Sequence, residues 1–180
     1  MSPLANAPLF WIDLEFTDLD VKRGKIVEIA SVITDSNLNV KHVGPDLVIY
    51  QPPEVLEGMV MWNQSHFEYS GLLEEIRNSK ITLGKAYQKT LSFLKAHCPF
   101  QTAMLAGSSV YIDREFLGEQ MPEIYNYLHH HIVDVNTIKE VARRWYPKVP
   151  LYPKNYTHRA SHDILDSINE LKYYREKIFK

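Results

Sequence analysis

Asp13-Leu14-Glu15 closes a short apolar run at residues 9–14 and is the stretch with the clearest chemical potential. On a β-strand, side chains two apart face the same way, so these two carboxylates would stand side by side at the strand's end. Carboxylates that close repel unless a positive charge lies between them. A hard divalent cation such as Mg²⁺ or Mn²⁺ is the usual oxygen-bound answer. The alternative is a solvated strand end running into a polar turn. His158 and Asp163, with four residues between them, form a second constellation. Ser161 as an N-cap would put Asp163 in the first turn of the last helix, where the helix dipole favours a carboxylate. His158 would then sit on the loop just before it. An imidazole near a metal-bound carboxylate suits a general base that takes a proton from water. The plainer reading is a surface histidine beside an ordinary helix-start acid. Asp113 follows the apolar segment 102–106 and the turn Gly107-Ser108-Ser109. Glu28 and Asp134 are further acids in apolar surroundings, and the sequence alone does not say which of them face a cleft.

The elements that must position these groups follow from hydrophobic periodicity. Residues 9–14 read as a strand, and 26–33 as a second, β-branched and mostly apolar, hence central. Asp35-Ser36-Asn37 reads as a turn and 47–50 as a third short strand, which gives an antiparallel meander. The period then changes. Leu83, Tyr87, Leu91 and Leu94 mark one face of a helix. Residues 102–106 read as a strand, 113–121 as a helix and 132–135 as a strand. Ile138, Val141, Ala142 and Trp145 share a helical face. The last helix spans about 161–178, with Ile164, Ile168, Leu171 and Ile178 inward. Strands first, then strands alternating with helices, predict an α/β fold with a mixed sheet covered by helices.

Composition bounds the class. With 180 residues, 45% hydrophobic and 23% charged, the chain is an ordinary globular domain and not a disordered one. The range 1–180 reads as one domain, with 1–7 expected to be disordered. Cys98 is the single cysteine, which excludes an internal disulfide framework and a multi-Cys zinc site and fits a reducing compartment. No apolar run approaches the roughly 18 residues that cross a bilayer, so no membrane partner is expected. The first residues lack the marks of a signal or transit peptide. A cytoplasmic location is expected, or a mitochondrial one if a leader precedes this chain. The formal net charge of -2 does not demand a nucleic-acid partner, although overall balance can hide a local basic patch.

The combination of signals is more informative than its parts. An Asp-x-Glu on the first strand, an Asp after a later strand and turn, and His-x4-Asp opening the last helix resemble the DEDDh exonucleases. Within that group the chain resembles the oligoribonucleases, near the eukaryotic small-fragment nuclease branch. WIDLEFTDLD at 11–20 is similar to that family's WIDLEMTGLD. IVEIASVITDSNLNV, GPDLVIYQP, AGSSVYIDREFL, DVNTIKEVARRWYP and ELKYYREKIF continue the likeness from about residue 10 to residue 179. The resemblance implies a ribonuclease-H-like fold with a five-stranded mixed sheet flanked by helices. It implies that Asp13, Glu15, Asp113 and Asp163 hold two divalent metal ions, Mg²⁺ or Mn²⁺, and that His158 is the general base. Trp62 and Leu19 match positions that stack on, and wedge between, the two bases of a short substrate. The alternative for Trp62, after Met59-Val60-Met61, is a plain core position.

The departures from the family pattern fall near the substrate. Asp18 replaces a glycine next to Leu19, Ser108 an asparagine, and His162 the first of two adjacent acids. His162 is expected to face solvent. His129-His130-His131 stands where the family has His-Tyr-Arg. There the resemblance implies that the Tyr position, His130, reaches across a dimer, and that the Arg position, His131, grips a 5′ phosphate. Ser109 keeps a hydroxyl of that grip, and Asn136 replaces a serine. Histidine cannot supply the bidentate fork of arginine. Three adjacent histidines also suggest zinc, but on a regular strand they alternate faces and would not share one ion. The function implied is a homodimeric 3′-to-5′ exoribonuclease acting on very short single-stranded RNA, from dinucleotides upward. The alternatives are a DEDDh exonuclease acting on longer RNA or DNA ends, and a catalytically weakened nucleic-acid-binding homologue.

Overall fold

Among the described residues, five strands form one mixed sheet: β1 (Leu9–Phe16), β2 (Ile26–Thr34), β3 (Val40–Val48), β4 (Met104–Gly107) and β5 (His129–Asp134). The computed structural model describes residues 3–154 and 159–179. The sheet order is β3-β2-β1-β4-β5. β1, β2 and β3 are antiparallel neighbours, as the meander expects, whereas β4 runs parallel to both β1 and β5. The helices are α1 (Pro53–Glu57), α2 (Met61–Ser70), α3 (Leu72–Asn78), α4 (Leu83–His97), α5 (Tyr111–Gln120), α6 (Pro122–Tyr127), α7 (Val135–Trp145) and α8 (Ala160–Lys177).

The alternation of β1 decides what lies on each side. Phe10, Ile12, Leu14 and Phe16 enter the larger core with Leu91 and Leu94 of α4 and Phe116 and Leu117 of α5. Leu9 and Trp11 face the other way, with Ala30 and Val32 of β2, and meet Ile164 and Ile168 of α8. Asp13 and Glu15 continue this second row, so the strand pleat carries them beneath the start of α8. β1 pairs with β4 only from Leu9 to Trp11. Beyond that point the two strands part, leaving the far half of β1 open on one side. Gly107 marks the parting: a Cβ there would lie 2.9 Å from the Ile12 carbonyl and 3.0 Å from Val110. Crevices of this kind, outside the C-terminal ends of strands where the strand order reverses, are where α/β sheets bind ligands.

Several sequence expectations need correction. The third strand is Val40–Val48, not 47–50. Its face is largely exposed, and its polar residues with Gly44-Pro45 hide the pattern; proline is tolerated there because β3 is an edge strand. α1 to α3 and α6 have no counterpart among the expected elements. They are short, and α2 is amphipathic to almost no degree: only Asn63 and Phe67 are buried. α3 contributes Leu72, Leu73 and Ile76 to a third small core over Val27. β5 starts at His129 rather than 132, and α5 at Tyr111 rather than 113. Within the segment 1–7, Pro3–Asn6 form a 3₁₀ turn. The next two residues are anchored: Ala7 is buried, and the Pro8 carbonyl accepts the Met104 N–H at 3.2 Å.

Candidate active site

Carboxylate oxygens of Asp13, Glu15 and Asp163 lie within 4.8 Å of one another at the end of β1. The strand pleat supplies the first two, and the first turn of α8 supplies the third. Asp113 reaches the same place from the opposite core. It is buried in the first turn of α5, and its Oδ1 accepts the Leu14 N–H at 2.9 Å. The parting of β1 from β4 frees that N–H. Phe116, three residues further along α5, stacks on Phe16 with centroids 3.9 Å apart and fixes the helix against β1.

Electrostatics make this cluster unfavourable as it stands. Burial, then the charge of Asp163, push the Asp13 carboxyl up to about 8. Burial, then Asp13, Glu28, Asp163 and Asp113, hold Glu15 well above the carboxylate range. Burial and Asp13 raise Asp113 likewise, against the Leu14 hydrogen bond that lowers it. A small volume that forces protons onto crowded acids is a volume that a divalent cation would neutralise. The donor set is all oxygen, which fits a hard ion. Lys154 bears on Asp13 with opposite sign. Its Nζ donates to Ser167 Oγ at 3.1 Å and lies 3.5 Å from Glu170.

Sequence reasoning missed the group that holds the start of α8. Glu28, wholly buried, stands directly opposite Glu15 in the β1–β2 ladder. Its Oε1 accepts Arg159 Nε at 3.1 Å, and its Oε2 accepts the Ala160 N–H at 3.1 Å. Arg159 forks on to both Glu75 oxygens of α3 at 2.8 and 2.9 Å. Ser161 is therefore not the N-cap. Arg159 occupies that position without a side-chain cap bond, and the Glu28 carboxylate serves one of the orphan N–H groups instead. The signal is present in the sequence: a lone acid in a nine-residue strand whose every position is buried requires a cationic partner.

The remaining expected site residues divide into groups. Ser109 and Asn136 are brought together: Asn136 Nδ2 donates to Ser109 Oγ at 3.1 Å. Asp134 Oδ1 accepts the N–H groups of both, at 3.1 and 2.9 Å. Ser109 holds φ 56, a left-handed conformation that is uncommon for serine. Leu19 and Trp62 are 63% and 58% exposed, so Trp62 is not a core residue. Both lie on segments tied to the end of β1, through Val60 N–H to the Thr17 carbonyl at 3.2 Å and Asn63 Nδ2 to the Phe16 carbonyl at 2.7 Å. Asp18, in place of glycine, caps its own turn by accepting the Asp20 N–H at 3.0 Å. His162 is exposed, as expected. His130 and His131 are not beside their own chain's carboxylates. His129 pairs with Met104, which pairs with Leu9, so the histidines sit at the opposite end of the strands from Asp13 and Glu15. They also do not alternate. Met104 pairs with His129 but Leu105 with Ile132, so His130 and His131 are extra residues in a bulge. Ring nitrogens of all three histidines lie within 4.8 Å of one another. His158 lies outside the described residues.

Two measurements check this geometry. Arg159→Met strands Glu28 buried opposite Glu15. Breaking such a pair costs about 3–5 kcal/mol when fully buried, and the 27% exposed Arg159 side chain should bring the cost towards the low end. Adding Glu28→Gln should recover part of the loss in a denaturant titration; a double variant as unstable as the sum of its parts contradicts the clamp. The second measurement is pH dependence. Asp13 is raised from 3.8 to about 8. Its contribution to metal-free stability is thus full below its unfolded value and is lost as pH rises through the folded one. In EDTA the melting temperature should fall across this range, with a shallower fall for Asp13→Asn. Mg²⁺ or Mn²⁺ should restore it most at the alkaline end.

Comparison with known proteins agrees with this geometry. Residues 10–171 match the family model RNase_T, described as exonuclease. A Dictyostelium discoideum protein called probable oligoribonuclease is 48% identical over 96% of this chain and 90% of its own length. The human protein called oligoribonuclease, mitochondrial, is 45% identical over 96% of this chain and 73% of its own. The oligoribonuclease of Dichelobacter nodosus is 44% identical over 95% of this chain and 94% of its own. Among solved structures, an exonuclease I from Methylocaldum szegediense shares the fold with TM-score 0.69 at 15% identity. That match covers 97% of this chain and 41% of the longer protein. The zinc-bound E. coli exonuclease I complex with single-stranded DNA gives TM-score 0.67 at 13% identity, covering 96% of this chain and 41% of that one. With the exonuclease model matching residues 10–171 and relatives this similar over nearly the whole chain, the chain belongs to the oligoribonucleases of the exonuclease family.

Proposed function

We propose that the chain is a 3′-to-5′ exoribonuclease that hydrolyses very short single-stranded oligoribonucleotides to mononucleotides and works as a homodimer. The observation that carries this reading is the convergence of Asp13, Glu15 and Asp163 at the open end of β1. The names of the relatives supply the substrate class. Asp13, Glu15, Asp113 and Asp163 would hold two divalent ions, Mg²⁺ or Mn²⁺. Bound there, such ions supply charge neutralisation at the scissile phosphate and acidify the attacking water.

The chain's own groups do the rest. His158 is assigned to take the proton from the attacking water as the new P–O bond forms and the bond from phosphorus to the leaving O3′ breaks. This requires the neutral imidazole. Exposed Leu19 and Trp62 would contact the bases, Trp62 by stacking. Ser109 and Asn136, held together by Asp134, would hydrogen-bond a terminal phosphate. His130 would reach across to the partner subunit's site, and His131 would take the phosphate-gripping position beside Ser109 and Asn136; both assignments, like the dimer, rest on the resemblance to the family pattern. The human relative is named as mitochondrial. No described helix is long and apolar enough to cross a membrane.

A second reading, action on longer RNA or DNA ends, is favoured by the histidines at 130 and 131, where the family pattern has tyrosine and arginine. Turnover of labelled two- and five-residue RNA with Mg²⁺ separates the two. Dinucleotide hydrolysis should be readily measured, abolished by EDTA and nearly abolished in Asp13→Ala. His158→Ala should retain substrate binding and lose about 10²- to 10⁴-fold in rate. Hydrolysis confined to the longer substrate supports the second reading, and full activity of Asp13→Ala removes the carboxylates from the mechanism. His131→Arg should tighten dinucleotide binding, since a fork donates two charge-assisted bonds where an imidazole donates one. Unchanged binding takes residue 131 out of the phosphate grip.

A further inference from the structure

The bulge in β5 creates a second cluster of potential ligands, distinct in chemistry and position from the carboxylates. A regular strand would send three consecutive histidines to alternate faces. Here the register advances by one residue on β4 while it advances by three on β5, so the extra residues fold the rings together. Ring centroids are 4.3 Å apart for His129 and His130, 4.6 Å for His129 and His131, and 4.3 Å for His130 and His131. One nitrogen of each ring lies within 4.8 Å of the other two. A tetrahedral ion with bonds of about 2.0–2.1 Å needs nitrogens roughly 3.3 Å apart; His130 and His131 are exposed and free to turn toward the half-buried His129 to reach that spacing.

We propose that His129, His130 and His131 form a three-imidazole site for a borderline divalent cation of the zinc class. Nitrogen ligands suit Zn²⁺, Cu²⁺, Ni²⁺ and Co²⁺, whereas the oxygen cluster suits Mg²⁺ and Mn²⁺. The two sites lie about 13 Å apart along the strand direction, four residues at roughly 3.3 Å each, and two strands across. His129 Nδ1 is an unprotonated acceptor, since it takes the His131 N–H at 3.0 Å. A cation can replace that N–H without removing a proton from the ring. Arg114, which donates to the His130 carbonyl and sits 5.0 Å over the Tyr125 ring, adds positive charge beside the site. That charge weakens cation affinity but favours an anion or water as the fourth ligand, and a cavity of about 450 Å³ lined by Arg114, Tyr125, His129 and His130 gives it room.

The site draws on two residues that the proposed ribonuclease reading gives to the substrate, but its test needs no substrate, so its failure and the failure of that reading are distinguishable. The intact protein is titrated with Co²⁺ in excess Mg²⁺, which occupies the oxygen site. Tetrahedral nitrogen-bound Co²⁺ should give intense visible absorption that saturates at one ion per chain and is displaced by Zn²⁺. His130→Ala with His131→Ala, at exposed positions, should weaken binding at least about 10- to 100-fold, the loss typical even of outer-sphere partners. Asp13→Ala should leave it unchanged. Absorption that survives the double variant or disappears in Asp13→Ala overturns the proposal. X-ray absorption at the zinc edge of the unsubstituted protein keeps the test sharp if the double variant misfolds. Three imidazole nitrogens are expected, and an oxygen-dominated shell contradicts the site.

Discussion

Repulsion among crowded, at least half-buried carboxylates is the constraint around which this molecule is arranged. Asp13, Glu15 and Asp163 bring oxygens within 4.8 Å of one another, and Asp113, outside that set, stands close enough from the other core to feel the charge of Asp13. Like charges at such distances, partly shut away from water, cannot all ionise without a cation. A fold that keeps them together must therefore hold each one rigidly. It uses strand pleating for Asp13 and Glu15, the Leu14 hydrogen bond and the Phe16–Phe116 stack for Asp113, and the Glu28–Arg159–Glu75 clamp for the helix that bears Asp163. The energy stored in that crowding becomes available to whatever cation binds there.

The clamp also explains why one more acid can stand in the neighbourhood. Glu28 faces Glu15 across the ladder, an arrangement that like charges normally disfavour. Arg159 and the Ala160 N–H turn Glu28 into a structural acceptor, and the same contacts set where α8 begins. Charge neutralisation and placement of Asp163 are thus one interaction seen from two sides.

Much of this is legible in the sequence because it depends on local periodicity. β1, β2, the long helices α4, α7 and α8, and the same-face placement of Asp13 and Glu15 all come from spacing alone. The illegible part depends on contacts distant in sequence. The Glu28–Arg159 pair spans 131 residues, and Glu28 alone does not name its partner. β3 is misplaced by periodicity because an exposed edge strand carries no apolar face to read. The short helices α1 to α3 bury few residues each and so leave no periodic trace. The histidine run reads as alternating because a bulge is a property of two strands in register, and only one of them is visible in the local sequence.

Anomalous diffraction from crystals soaked in Mn²⁺ tests the central claim most directly. Two peaks between Asp13, Glu15, Asp113 and Asp163, at oxygen-ligand distances, are the predicted result. Manganese absent from this cluster at saturating concentration, or bound elsewhere while the four side chains stay as described, would contradict it.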